Sequence, residues 1–490
     1  MRIATGVRRL GIAAAMLVGV AAVLMVMLLA ALRFWLWPEL DRWREALVRE
    51  LSARSGMQVS VGRLEGQWNG WWPVAVANDV QVHTDGAEAS LPLVQVTLGG
   101  GWEAWRSGKG VVQILVPAAQ VRVDDAAALK QRLQAGGAAP ASGLPTGVSV
   151  EVGEARLAWR RDGQEAHARG SLALALGVWG WQAGFEGEAP GAVRHASVLL
   201  SGSRLGRVEA HFDLKEIGGE SLALWWPQAA GLRPEGSASG VVVLGGQNLQ
   251  SFDLTLEKVG WAAVGDSFGV RGVSGRIAGD RAGGEFALSV AQGAMSWPAV
   301  WPRLETVAVP EGVIQGRWAY DGNGYDLTLE EGRLRTEDFT ARVSGRYRLA
   351  RAGDVADLQG SLDEVALDRL VRYLPGGAVG PRLQGWLRDA LVAGKLSAVE
   401  FRLRGPLAEF PFRGNGGEFW LRLPLEGVTL RFAPQWPEFE QVKGVVTFDR
   451  GAVAIEVAQA HAQGVRFGPI HAFIPAFDAE IPVLTLPGEA

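Results

Sequence analysis

The sequence predicts a mostly β chain, with a single N-terminal transmembrane helix ahead of an elongated, repetitive antiparallel sheet and a few amphipathic helices. Three observations carry this reading: an uncharged apolar run near the N-terminus, two-residue alternation from Met57 onward, and a long-range internal repeat.

The run from Leu10 to Leu32 holds 23 residues without a charge. As a helix it would be about 34 Å long, enough to cover a ~30 Å hydrocarbon core. Leu10, Leu17, Leu24, Leu28 and Leu32 supply apolar surface, and Phe34, Trp35 and Trp37 fall where an interfacial aromatic belt would sit. Arg2, Arg8 and Arg9 precede the run with no acid, whereas three Arg and three acidic residues follow it in 33–45. The positive-inside bias therefore leaves 1–9 in the cytoplasm, makes 10–34 the anchor, and puts everything later outside the cytoplasm. A cleaved signal peptide is the competing reading, but its apolar core is about 7–15 residues and ends in small residues. This run is longer and ends in Leu32-Arg33-Phe34-Trp35, so it reads as an uncleaved signal anchor.

Pro38 opens an amphipathic helix over 38–55, in which Leu40, Trp43, Leu47 and Leu51 recur at helical spacing between charged residues. It stops at Gly56, a suitable C′ residue. Such a helix lies on a membrane surface or packs against the domain that follows.

From 57 to 360 the apolar period is two, as in Val148/Val150/Val152, Leu254/Leu256 and Leu327/Leu329, each alternating with polar residues. Turn signals such as Asp162-Gly163, Asp321-Gly322-Asn323-Gly324 and Arg450-Gly451 separate the strands and point to hairpins. Only about 120–147, rich in Ala, Gly and Pro, reads as helix plus linker. Helical spacing returns over 361–395, with Val365, Leu367 and Leu370 before Pro375 and Leu383, Trp386, Leu387 and Leu391 after Pro381. The alternation resumes over 396–490 at Phe401/Leu403, Leu421/Leu423/Leu425, Leu430/Phe432 and Ile455/Val457.

The repeat is more specific than the periodicity. Val273–Arg281 and Val442–Arg450 share V-x-G-x-[IV]-x-x-D-R at an offset of 169, and Leu254-Thr255-Leu256-Glu257 matches Leu423-Pro424-Leu425-Glu426 in the same phase. A repeat implies a sheet that grows along one axis by addition of like units.

Composition narrows the function. With 66 Gly in 490 residues, the chain carries nearly twice the usual share of about 7%, which suits short strands joined by tight turns. Net charge is −4, with no basic tract, so nucleic acid is not an expected partner. There is no Cys, no H-E-x-x-H, and the six His form no cluster at ligand spacing, so neither a metal nor a cofactor is expected. Lys109 and Lys395 follow Gly, yet Glu103 and Asp389 stand where a P-loop needs its first Gly. Gly265-Asp266-Ser267-Phe268-Gly269 fits the G-x-S-x-G nucleophile elbow, with His461 or His471 as candidate base. An elbow needs a strand-to-helix turn, whereas Val270-Arg271-Gly272-Val273 leads into another strand. No catalytic residue is therefore expected, and a serine hydrolase using Ser267 is kept as a distant alternative. The 20 Trp often stand beside Pro, as in Trp72-Pro73, Trp226-Pro227, Trp297-Pro298 and Trp436-Pro437, where they suit either an interface or turn packing.

Several blocks together resemble a known family. They are Trp37-Pro38-Glu39-Leu40, Leu64-Glu65-Gly66-Gln67-Trp68, Tyr373-Leu374-Pro375, Trp386-Leu387-Arg388-Asp389-Ala390-Leu391, Phe410-Pro411-Phe412 and Ala433-Pro434-Gln435-Trp436-Pro437. In that order they resemble the YhdP branch of the AsmA-like envelope proteins. The resemblance implies a single-pass inner-membrane protein with its bulk in the periplasm, built as a long β groove, U-shaped in section. Phospholipids would pass through the groove between inner and outer membranes and so support the outer membrane. Family members are much longer, so the chain looks like an N-terminal part whose missing distal segment would meet the outer membrane or its proteins.

The lipid reading gains support from the residues, since an apolar sheet face must be covered by a second layer or by ligand, and few helices are available. Candidate groove positions are Leu254, Leu256, Leu327, Leu329, Phe401, Leu403, Leu421, Leu423, Leu425, Leu430, Phe432, Ile455 and Val457. A non-enzymatic envelope scaffold, with the same face closed as ordinary core, is the alternative.

Overall fold

A computed structural model describes residues 37–99, 111–125 and 147–476, apart from 71, 162, 178–179, 204–205, 220, 230, 247, 302–305, 374–380, 397, 415 and 432–434. It also describes 27, 30–31, 33–34, 128 and 483–485. The chain forms two compact units, Met1–His211 and Phe212–Ala490. Both are mostly β, as the alternation requires.

The first unit opens with a 3₁₀ turn, Leu40–Trp43, and helix α1, Arg44–Ser55, which ends on Gly56 at φ 66°. Strands β1 (Gln58–Asn69), β2 (Trp72–Thr84), β3 (Ala87–Leu98) and β4 (Val112–Val123) pair antiparallel in sequence order. β5 (Val148–Arg161) then pairs with β4 in parallel. This pair departs from the expected antiparallel sheet but not from the expected break in the hairpins over about 120–147, because a parallel neighbour needs a crossover of a dozen or more residues, and residues 124–147 separate the two strands. The expected helix from about 120 starts too early, since β4 runs to Val123. β6 (Gln164–Leu176), β7 (Gly180–Ala189) and β8 (Val193–Ser203) continue antiparallel, and β9 (Arg207–Ile217) carries the chain across the division.

The second unit holds β10 (Glu235–Gly245), β11 (Asn248–Trp261), β12 (Gly269–Gly279), β13 (Gly283–Ser296), β14 (Val307–Tyr320), β15 (Gly324–Arg335), β16 (Thr340–Ala350) and β17 (Val355–Asp363) as an antiparallel meander. A helical insertion follows: β18 (Val365–Ala366), a 3₁₀ helix over Leu367–Tyr373, helix α2 (Pro381–Ala390), β19 (Leu391–Ala393) and β20 (Lys395–Leu396). Pro381 opens α2 as expected, whereas the first expected helix is a 3₁₀ segment. The meander resumes with β21 (Val399–Pro406) beside β17, then β22 (Glu418–Leu430), β23 (Phe439–Asp449), β24 (Ala452–Ala462), β25 (Val465–Phe467) and β26 (Ile470–Ile474).

The turns at one end of these strands are short and polar. Asp321 Oδ1 accepts from the Asn323 and Gly324 amides at 2.9 and 3.0 Å, and Asp280 Oδ1 does the same for Ala282 and Gly283 at 2.7 and 3.0 Å. Carboxylates that fold back on their own backbone in this way stabilise tight turns.

Leu10, Leu17, Leu24, Leu28, Leu32 and Trp35 of the expected anchor lie outside the described residues. Among the described residues no helix is long and apolar enough to cross a membrane. Trp37 is not in an interfacial belt: it is 8% exposed, and its indole N–H donates to the Gln67 and Val74 carbonyls at 2.9 and 3.2 Å. Its ring meets Trp68 edge-on at 6.1 Å, so it caps the β1–β2 hairpin instead.

Candidate functional site

Residues directly opposite each other in an antiparallel ladder place their side chains on the same face. The register of the second unit therefore fixes which residues form one surface. One row crosses thirteen strands from β10 to β26: Ala238, Leu256, Gly275, Leu288, Ile314, Gly332, Val343, Gly360, Phe401, Leu421, Phe448, Val453 and Ile474. No polar side chain interrupts it. Beside it runs Gly240, Leu254, Ile277, Phe286, Gly316, Leu329, Gly345, Leu358, Leu403 and Phe419. A third row holds Val242, Phe252, Gly279, Gly284, Trp318, Leu327, Tyr347, Ala356 and Gly405. At about 4.8 Å per strand the longest row measures roughly 55–60 Å along the ladder.

The opposite face is charged. Its matching row contains Asp253, Glu285, Arg317, Thr328, Arg346, Asp357, Arg404 and Glu418. Arg276 donates two hydrogen bonds to Asp253 at 2.8 and 2.7 Å, and Arg317–Glu330 and Arg342–Asp363 pair at 2.7 and 2.6 Å. The guanidinium hydrogen bonds from Arg276 hold the Asp253 carboxyl below the usual range, and Arg348 with the turn amides holds Asp321 down to about 2. These pairs are solvent-exposed and each adds little stability. Their effect is on register, because a one-residue slip would turn this face inward.

β-Bulges keep the apolar face continuous along each strand. In β11 the face runs Leu254, Leu256, Val259, Trp261, with the step from Leu256 to Val259 absorbed by a register shift against β12. Shifts at Leu329/Gly332 and Glu426/Val428 do the same in β15 and β22. Beyond the bulges a further apolar row links Val259, Val273, Val290, Gly312, Leu334, Ala341, Leu362 and Val399.

Several glycines in the rows lie beneath aromatic rings. A Cβ on Gly284 would sit 2.4 Å from the Trp318 ring, one on Gly316 would be 3.1 Å from Phe286, and one on Gly360 would be 2.7 Å from Phe401. Phe252 and Phe286 flank Trp318 at 6.1 and 6.3 Å with their planes within 14° and 20° of its own. The face is thus partly paved by flat aromatic surface and offers extended dispersion contact.

Exposure divides the sequence candidates. Leu254, Leu256, Leu327, Leu329, Phe401, Leu403 and Leu421 are half-buried, as are Leu423 and Ile455. Leu425, Leu430 and Val457 are instead buried at 5%, 8% and 7% exposure. They belong to a packed cluster with Val365, Leu367, Leu396, Val399, Val428, Phe439 and Val442, against which Leu421, Leu423 and Ile455 also lean. Most of the insertion side chains in this cluster come from β18, the 3₁₀ helix and β20, so this part of the face is filled by protein. Phe432 lies outside the described residues.

A buried carboxylate ties the insertion down. Asp338, 5% exposed, accepts from Arg369 Nη1 at 3.0 Å and from the Tyr373 hydroxyl at 2.7 Å. From there an aromatic ladder runs along the strand ends: Phe339, Tyr373, Trp301, Trp297, Phe268 and Trp261, with successive centroids 4.9 to 6.5 Å apart. Trp–Pro pairs hinted at these loops, but neither the ladder nor the insertion's anchor was readable from spacing.

The nucleophile-elbow reading fails on position. Gly265–Gly269 is a strand-to-strand turn, and Ser267 Oγ accepts from the Val264 amide at 2.8 Å. His461 and His471 stand on β24 and β26, with β13 to β17 and β21 to β23 hydrogen-bonded in succession between them and β12. Nothing in this turn provides the strained strand-to-helix geometry the motif requires.

Residues 194–490, more than half of the chain, match the family model described as YhdP protein. The chain belongs to the YhdP family. A relative, the intermembrane phospholipid transporter YhdP of Escherichia coli (strain K12), is 25% identical over 215 residues, which is 43% of this chain and 17% of that protein. The chain thus matches under a fifth of that relative's length, and the matched YhdP region contains all of the second unit's rows. No solved structure matches the chain.

Proposed function

We propose that this YhdP-family chain is a stretch of a lipid-transfer conduit, in which the apolar face of the second unit carries phospholipid acyl chains. The carrying observation is the uninterrupted thirteen-strand row from Ala238 to Ile474, half-buried over much of its length and free of ionisable groups. A face of this length, left uncovered, would aggregate or bind lipid. The absence of side-chain hydrogen-bond donors from that row suits acyl chains, with headgroups left in water. Leu254, Leu256, Leu327, Leu329, Phe401 and Leu403 line the path. The packed cluster around Leu425, Leu430 and Val457 bounds it.

In this reading residues 10–34 anchor the chain in the inner membrane, the β units lie in the periplasm, and lipid moves between inner and outer membranes to maintain the outer one. The relative's name, an intermembrane phospholipid transporter, supports this direction of thought. Transport needs no covalent chemistry, so no enzyme activity is part of the proposal. The full chain purified in mild detergent should carry phospholipid by native mass spectrometry. Bare protein in repeated preparations would overturn the conduit and favour a scaffold.

A further inference from the structure

Helix α1 turns Arg44, Val48 and Ser52 toward the protein and leaves an apolar row exposed beside them. Asp41 Oδ1, in the preceding turn, accepts from the Leu64 amide at 2.9 Å. Arg44 Nη1 donates to the Val61 and Gly62 carbonyls at 3.0 and 2.6 Å, and Ser52 Oγ accepts from the Val59 amide at 3.2 Å. These contacts satisfy backbone groups along β1, which pairs with β2 on its other side. The adjacent helical row, Trp43, Leu47 and Leu51, is 56%, 45% and 54% exposed.

We propose that this outward row is a membrane-surface contact, seated in the interfacial layer of the bilayer that residues 10–34 enter. The inference rests on the anchor reading for which bilayer it is, and on the exposed row for the contact itself. Only seven residues separate Leu32 from Leu40, so at 3.3–3.6 Å per residue the start of the helix stays within about 30 Å of the end of the uncharged run. Phe34, between the two, is 77% exposed. Trp43 brings an indole suited to the headgroup level. The helix charges cancel in local pairs, Arg42–Glu39 at 2.6 Å, Arg54–Glu50 at 2.6 Å and Arg44–Asp41 at 3.6 Å, so the contact is apolar and not a basic patch. It would hold the β1 end of the first unit against the lipid surface.

The chain contains no Cys, which makes single-site labelling clean. Leu47→Cys and Glu45→Cys, on opposite sides of the helix, are each labelled with an environment-sensitive fluorophore and the full chain is reconstituted into phosphatidylcholine vesicles containing a shallow nitroxide lipid. The expected result is flotation with the vesicles and at least threefold stronger quenching at 47 than at 45, unchanged by adding anionic lipid or salt. Flotation with equal quenching at both sites overturns the surface contact and leaves the anchor standing. Failure to float overturns both. Quenching at 47 that appears only with anionic lipid also overturns the proposal, because it would mean an electrostatic contact.

Discussion

Lys258 and Gly427, 169 residues apart, occupy the same left-handed bulge position in β11 and β22, at φ 50° and 67°. Each lies between paired apolar neighbours, Leu256 and Val259 in one case, Leu425 and Val428 in the other, and Val259 and Val428 face Val273 and Val442 at the same offset. The sequence repeat is therefore a repeat of strand, bulge and partner. It keeps the apolar face in phase where a simple two-residue count would turn it over.

Gly427→Val should destabilise the second unit by about 1–2 kcal/mol, because a β-branched residue is strained at positive φ. No atom lies within 4 Å of the Cβ it would add, so the cost is conformational and not a clash. Urea unfolding measures it, and Gly427→Asn should recover much of the loss.

Tyr347 and Tyr373 each donate to a carboxylate at 2.7 Å, Asp354 and Asp338 respectively, and burial followed by that hydrogen bond pushes each phenol up to about 12. A raised folded-state value favours the folded state fully below the ordinary phenol value near 10, and this contribution disappears as pH rises through about 12. Stability should therefore fall between pH 10 and 12, and Tyr347→Phe and Tyr373→Phe should each flatten the decline. Ultraviolet difference titration should show one late-ionising phenol fewer in each variant.

Leucines that look alike in sequence should behave differently when charged. Leu430 is 8% exposed in the packed cluster, so Leu430→Asp should cost several kcal/mol and reduce the amount of folded protein. Leu403 is half-buried in the open row, so Leu403→Asp should fold with a loss of about 1 kcal/mol or less and lose bound lipid. Thermal melts and lipid content of the purified variants separate the two effects.

The strands and their apolar face were legible because alternation is a local signal: Leu254, Leu256, Leu327, Leu329, Phe401 and Leu403 all fall on one surface. What closed part of that surface was not legible. Leu425 and Leu423 alternate identically, yet the 3₁₀ segment and short strands of 365–396 fold onto Leu425 and leave Leu423 at the edge of the cluster. Trp37 misled for a related reason, since an aromatic residue after an apolar run suits a lipid interface, and only the β1–β2 hairpin supplied the two carbonyls that bury it. The parallel β4–β5 pair was missed because a crossover depends on where distant strands meet.

The central claim, that one face of the second unit contacts lipid and the other does not, is tested most directly by photocrosslinking in living cells. A photoreactive residue is placed in turn at Leu254, Thr255 and Leu256, and at Leu403 and Arg404, consecutive positions that alternate between the two faces. The account predicts phospholipid adducts at 254, 256 and 403 and none at 255 and 404. Adducts at all five positions, or at none while the protein remains abundant, would contradict it.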